Sequence, residues 1–233
     1  MKVEIYSDIA CPWCYVGKRR FERALSAYPA ADTVEVVYRP YQLAPDASTE
    51  AQPLEQAMRR KFGDRTPGLN ARLVEVGKKE GIAFNFDKAQ SVNTLLGHRL
   101  LHLAETEYGS AVQAVLKNAL LHAYFVDGGN VGDPEQLTEI AVAAGLDRGR
   151  VTAYLASDEG TAEVQAGIAQ AQRMGINAVP TFVFEGKWAV QGAQETSTFL
   201  QALERVAAET AAESAPAPAA ADAGACTDGA CAI

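Results

Sequence analysis

The stretch Tyr6-Ser7-Asp8-Ile9-Ala10-Cys11-Pro12-Trp13-Cys14-Tyr15-Val16-Gly17 decides the fold. Leading into it, residues 2–7 (Lys2, Val3, Glu4, Ile5, Tyr6, Ser7) alternate in polarity and predict a strand. Asp8 to Cys11 then turns the chain. Pro12 stands where a first helical residue is tolerated, because its missing N–H would be unpaired there anyway. Apolar Val16, Phe21, Ala24 and Leu25 predict a helix to about Tyr28, stopped by Pro29. Thr33-Val34-Glu35-Val36-Val37-Tyr38 is β-branched enough for a second strand, ended by Pro40. The two cysteines therefore sit at the strand-to-helix turn of a βαβ unit.

That placement has chemical meaning. Two residues three apart at a helix start share a face, close enough for a small adjustment to bring their sulfurs into bonding geometry. The first cysteine precedes the helix, where unpaired N–H groups stabilise an anion. Cys11 is thus expected to be the reactive sulfur and Cys14 the resolving one. Two blander readings stand beside this: half of a zinc site, which would need Cys226 and Cys231 or histidines to complete it, and two inert buried thiols. The turn position favours redox chemistry with no metal.

From about Thr49 to Ser157 the pattern is helical, with segments near 50–62, 68–80, 92–108, 110–125, 134–144 and 147–156 separated by Gly, Pro and Asp-Gly signals. Asp133-Pro134-Glu135-Gln136 reads as a capped helix start. A helix near 159–174 ends at Gly175. Thr181–Phe184 and Trp188–Val190 then form a hairpin around Glu185-Gly186-Lys187, followed by a helix from about Glu195 to Ala208. The sum is an α/β chain, βαβ then αββα, with a large inserted helical subdomain. Residues 1–46 and 158–208 form one unit, 47–157 the insertion, and 209–233 an Ala/Pro-rich tail read as a flexible linker.

Hydrophobic residues make up 48% of the 233 positions and charged residues 21%, as in ordinary globular proteins. The net charge of −8, from 21 basic and 29 acidic residues, disfavours nucleic acid and anionic lipid as partners. No apolar run approaches the roughly 20 residues needed to span a bilayer. Read as a native start, Met1–Asp8 lacks a secretory stretch, which implies a cytoplasmic protein. In that compartment, close cysteine pairs are more often catalytic than structural.

Val179-Pro180 places a proline at the entry of the returning strand. Together with Asp8–Gly17, Tyr38-Arg-Pro-Tyr-Gln-Leu43, Asn93-Thr-Leu-Leu-Gly-His-Arg-Leu100, Val179–Lys187 and Gln191-Gly-Ala-Gln194, it makes the chain resemble DsbA-type thiol–disulfide oxidoreductases, in the FrnE-like branch. The resemblance runs over about residues 1–208. It implies a thioredoxin-like fold, an insertion that covers the active site, a cis Val179–Pro180 peptide beside the dithiol, and disulfide exchange through Cys11. Pro12, Trp13, Val179 and Pro180 would border a thiol- or disulfide-bearing protein or small molecule. No cofactor is implied beyond glutathione as a redox partner. Two departures stand out. Strongly oxidising secreted relatives have histidine between the cysteines, where Trp13 stands here. Glutathione-dependent isomerase relatives usually have serine in place of Cys11. A glutathione-using isomerase or transferase of the kappa-class or hydroxychromene-carboxylate type, acting on an aromatic or polyketide-like metabolite, is the runner-up. A holdase that uses the groove without turnover is a third reading.

Asp8 reads first as a turn or capping residue and second as a proton-handling group for the dithiol. Trp13 reads as a partly exposed lip of the groove. His98 and His102, four apart, are placed on a solvent face opposite Leu96, Leu100 and Leu103. Arg39 and Arg99 read as structural ion-pair partners, and Phe84-Asn85-Phe86 as core. Cys226 and Cys231 are expected to form an accessory redox pair, the blander reading being a chance pair in the tail. A flexible linker from Glu209 would reach about 20–25 Å, against a radius of gyration of about 17 Å for a globule of this size.

Overall fold

The computed structural model describes residues 1–214. The chain opens with β1 (Lys2–Ser7), α1 (Pro12–Ala27) and β2 (Glu35–Pro40). The insertion follows: β3 (Gln52–Pro53), α2 (Leu54–Phe62), α3 (Thr66–Lys79), β4 (Gln90–Ser91), α4 (Leu95–Leu103), α5 (Ser110–His122), α6 (Pro134–Ala143) and α7 (Arg148–Leu155). It returns through α8 (Thr161–Arg173), β5 (Thr181–Phe184), β6 (Trp188–Gln191) and α9 (Thr196–Ser214). The main sheet has the order β2-β1-β5-β6, with β1 parallel to β2 and the other pairs antiparallel. That is the thioredoxin-like arrangement with a helical insertion.

Alternation in β1 explains its central place. Val3 and Ile5 face one side and pack with Phe21 of α1, Phe182 and Phe184 of β5, and Phe199, Leu203 and Val206 of α9. Phe21, Phe182 and Phe199 meet ring to ring, with centroids 4.4–5.6 Å apart. Tyr6 faces the other side, with Val183 and with Ala171 of α8. A third cluster joins the insertion to the start of α1. Ile9, Tyr15 and Val16 are buried among Phe84, Phe86, Leu100, Leu116, Leu120 and Phe125. Phe84 and Phe86 are core, stacked at 5.3 Å. The turn that bears the cysteines is therefore held between two bodies of side chains.

Several boundaries differ from the sequence expectation, each for a local reason. A 3-10 turn over Ala31–Thr33 absorbs the start of the second strand, and Thr33 Oγ1 donates back to the Ala30 carbonyl at 2.8 Å. The two-residue strands β3 and β4 are too short to leave a period-2 signal. The last helix runs to Ser214, so residues 209–214 are helical and not linker. Alanine is the best helix former, and the run Ala207–Ala212 extends the helix rather than ending it. Cys226 and Cys231 lie outside the described residues. Among the described residues, no helix is long and apolar enough to cross a membrane.

The insertion also closes one margin of the sheet. Gln113, fully buried on α5, accepts from the Tyr38 N–H at 2.8 Å and donates to the Tyr38 carbonyl at 2.9 Å. Its carboxamide thus takes the place of a neighbouring strand on β2. Gln113→Leu leaves both backbone groups buried and unpaired, at about 1–3 kcal/mol each. We expect it to lower unfolding free energy in urea by about 2–6 kcal/mol, an outcome that a loss below about 0.5 kcal/mol would contradict.

Candidate active site

Cys11 caps the N-terminus of α1 with extended backbone (φ −102°, ψ 109°), and Pro12 begins the helix. The Cys14 N–H donates to the Cys11 carbonyl at 3.0 Å, the first turn of that helix. Both residues are free thiols, and both are buried. Cys11 Sγ points at the Val179 carbonyl, 3.6 Å away. The Val179–Pro180 peptide is cis, and Pro180 leads into β5 while its carbonyl accepts from Gly192 N at 2.8 Å. This loop rests directly on α1. A Cβ on Gly17 would stand 2.9 Å from the Pro180 ring, closer than packed carbons come, so the approach requires glycine. Residues 11, 14, 179 and 180, far apart in the chain, thus form one locus. Trp13 lies beside it, half-buried, with the Arg72 guanidinium of α3 6.0 Å from its ring centroid.

The two sulfurs interact, and they ionise as a unit. The Cys11 thiol is pushed well up, first by its bond to Cys14, then by burial and by the Cys14 charge. Burial opposes ionisation of Cys14 as well. The bond from Cys11, the Lys117 ammonium and the Ser7 hydroxyl outweigh it and hold Cys14 below the ordinary thiol range. In this geometry Cys14 is the more easily ionised of the two, whereas the helix start alone points to Cys11. A proton passing between the two sulfurs moves the negative charge to Cys11.

Asp8 lies three residues ahead and is wholly buried. Its turn-capping bond, from Ala10 N at 3.4 Å, is the longest it makes. Oδ2 accepts from Leu43 N at 2.7 Å, and Oδ1 from Thr94 Oγ1 at 2.9 Å and His98 Nε2 at 3.3 Å. Burial pushes its carboxyl up, but the bonds from His98 and Leu43 and the Lys117 charge hold it below the ordinary value. Asp8 is therefore an anion that ties β1, the segment after β2, and α4 together.

The structure moves His98 from solvent to this anion. It is 2% exposed, and burial lowers its pKa, so the ring is neutral at neutral pH. The one-stripe reading of α4 fails because the helix is covered on most of its circumference: Gly97, His98, Arg99, Leu100, Leu101 and Leu103 are all buried. Gly97 allows this, since a Cβ there would meet Ile9 Cδ1 at 2.5 Å. His102 is half-buried and lines a 350 Å³ cavity with Arg39, Glu105 and Gln170. Arg39 pairs with Glu4 at 2.7 Å and Glu105 at 2.9 Å. Arg99, expected in an ion pair, instead donates to the carbonyls of Tyr154, Ser157 and Glu159 and fastens the α7–α8 connection.

Sequence reasoning missed three members of the site: Ser7, Thr94 and Lys117. Lys117 sits on α5 in the stripe Gln113, Leu116, Lys117, Leu120, Leu121, every member of which is buried. The 3–4 spacing of its two polar residues among leucines is the signal that marks it as interior.

The chain matches the DSBA-like thioredoxin domain over residues 2–204. It belongs to that family. Among solved structures, this DSBA-like chain is similar to the probable DsbA oxidoreductase SCO1869 of Streptomyces coelicolor, at 38% identity and a TM-score of 0.82, covering 100% of this chain and 99% of that one. It is 27% identical over 203 residues to Uncharacterized protein YwbO of Bacillus subtilis (strain 168), covering 86% of this chain and 94% of that protein. The 2-hydroxychromene-2-carboxylate isomerase shares the fold at 19% identity and a TM-score of 0.67, covering 92% of this DSBA-like chain and 100% of that one.

Proposed function

We propose that this DSBA-like protein is a thiol–disulfide oxidoreductase that exchanges disulfides through Cys11 and Cys14. The observation that carries the reading is the geometry: two interacting free thiols at a helix start, with Cys11 Sγ against the Val179 carbonyl of the Pro180 loop. In the reducing direction the Cys11 thiolate attacks one sulfur of a substrate disulfide. A Cys11–substrate S–S bond forms, the substrate S–S bond breaks, and the departing thiolate takes up a proton. The Cys14 thiolate then attacks Cys11 Sγ, forming the Cys11–Cys14 disulfide and expelling the second substrate sulfur as a thiolate. Two electrons pass from the dithiol to the substrate. The oxidising direction runs the same steps backward. Substrates are thiol- or disulfide-bearing proteins or small molecules, with glutathione as a thiol that regenerates the dithiol. Trp13 borders the substrate groove.

Insulin reduction, followed by turbidity in the presence of glutathione, tests this reading. The wild type is expected to be active and Cys11→Ser to be inactive. A wild type without activity in either insulin reduction or oxidative refolding of reduced ribonuclease would falsify it.

We further propose that Cys226 and Cys231 exchange with this dithiol. The chain places Cys226 twelve residues beyond the end of α9. A Cys226→Ser/Cys231→Ser variant is expected to reoxidise its Cys11–Cys14 dithiol several-fold more slowly in stopped-flow mixing with oxidised glutathione. An unchanged rate removes the role.

A further inference from the structure

Lys117 is the least expected side chain near the dithiol. It is 0% exposed, although it carries an ammonium at the end of a long stem. Its Nζ donates to the Ser7 carbonyl at 3.4 Å and lies 5.9 Å from the Tyr38 ring centroid. One carbonyl dipole and one ring face do not offset the desolvation of a buried cation, which needs an anion nearby. The charged and titratable groups that face it are Asp8 at the end of β1, Cys11, Cys14 and Lys18 of α1, Tyr38 of β2, and His98 of α4. Asp8 is already held by Leu43, Thr94 and His98. His98 is neutral, and Lys18 pairs with Glu22. The anions that share this cation are therefore the Asp8 carboxylate, whose own hydrogen-bond partners are all neutral, and the dithiol, which has no other cation beside it. A second observation points the same way. Ser7 Oγ is buried with no hydrogen-bond partner, although it adjoins the Cys14 sulfur and favours its anion.

We propose that Lys117 is the countercharge for the Cys14 sulfur, with the Ser7 hydroxyl as a neutral donor beside it. The inference rests on the disulfide-exchange reading of the site. Lys117 acts through Cys14 and touches no substrate, so it is a positioning residue. It comes from α5, in the helical insertion, so the insertion supplies part of the electrostatics of the dithiol as well as its roof. Burial draws the Lys117 ammonium down to about 8, which leaves it charged at neutral pH and able to favour the Cys14 anion. The thiolate exists only in the reduced form, so the cation favours that form over the disulfide.

Thiolate absorbance at 240 nm against pH tests the assignment on the full-length protein. Lys117→Met is expected to raise the first thiolate midpoint by about one unit or more, the usual effect of an opposite charge close by. A merely structural lysine would lower thermal stability and leave that midpoint in place. If Lys117→Met does not fold, the wild type decides. The Lys117 Nζ resonance, titrated by ¹⁵N NMR, is expected to have a lower midpoint in the disulfide form than in the dithiol form, because oxidation removes its anion. An unmoved thiolate midpoint in Lys117→Met, or the same Nζ midpoint in both redox states, overturns the proposal. Insulin reduction by the wild type reports on disulfide exchange separately, so the two readings fail independently.

Discussion

Cys14→Ser is expected to leave a protein that captures disulfide substrates and does not let them go. Attack by Cys11 needs only one sulfur, so the mixed disulfide still forms. Its resolution depends on a thiolate held against Cys11 by the first turn of α1. Well-placed intramolecular groups act at effective concentrations on the order of 10⁵ M or more, against millimolar free thiol. The ratio is on the order of 10⁸, so turnover of insulin at 1 mM glutathione should fall by at least about 10³-fold even where another step limits the wild type. A Cys11-linked adduct, removed by dithiothreitol, should appear in the intact mass. The variant also removes the group that keeps Cys11 protonated, because the bond to Cys14 is the main reason its thiol is pushed up. The Cys11 thiolate midpoint should fall, and adduct formation should proceed at lower pH than in the wild type. Turnover that survives the loss of Cys14, together with tight glutathione binding, would instead favour the glutathione-dependent isomerase reading.

Asp8→Ala carries the largest expected loss of stability. The carboxylate accepts from a backbone N–H, a hydroxyl and an imidazole, and it lies among the groups that face the Lys117 ammonium. Its removal strands all of them in the interior. Breaking a buried charge pair by deleting one partner costs about 3–5 kcal/mol. For a chain of this size that corresponds to a fall in Tm of about 6–20 °C. The sign of the pH dependence follows from the direction of the shift. The folded carboxyl ionises more easily than the unfolded one, so its contribution is complete above the unfolded value near 4 and is lost as pH falls through the folded value. Urea titrations at pH 7 and pH 3 should show the two proteins differing most at pH 7 and converging in acid. A constant gap across that range would contradict the assignment of Asp8 as the anion.

The parts of this site that could be read in the sequence are those whose chemistry is local. Cys11 and Cys14 announce themselves by spacing and by the strand and helix on either side of them. Pro180 does so by its place before a hairpin. Asp8 was visible as a residue, yet its role was not, because its partners arrive from residues 43, 94 and 98. For His98, a solvent position follows from a rule that holds for helices with one covered face, and α4 is covered on more than one. Lys117 is masked by its residue type: lysine at a core position runs against the ordinary cost of burying charge. Such residues become readable when a polar side chain falls in step with a leucine stripe, as Gln113 and Lys117 both do on α5.

The carboxamide of Gln113 has a consequence for how the molecule behaves among other chains. An unpaired sheet margin invites a foreign strand to add to it, the first step of runaway association. On β2 the amide and carbonyl of Tyr38 are already engaged, and Pro40 has no amide to offer. Strand addition at that margin would have to displace a buried side chain first. The opposite margin, β6, pairs only with β5 among the described residues. Any recruitment of an extended segment by this sheet, from an unfolded client or from a neighbouring molecule, is thereby directed to one side.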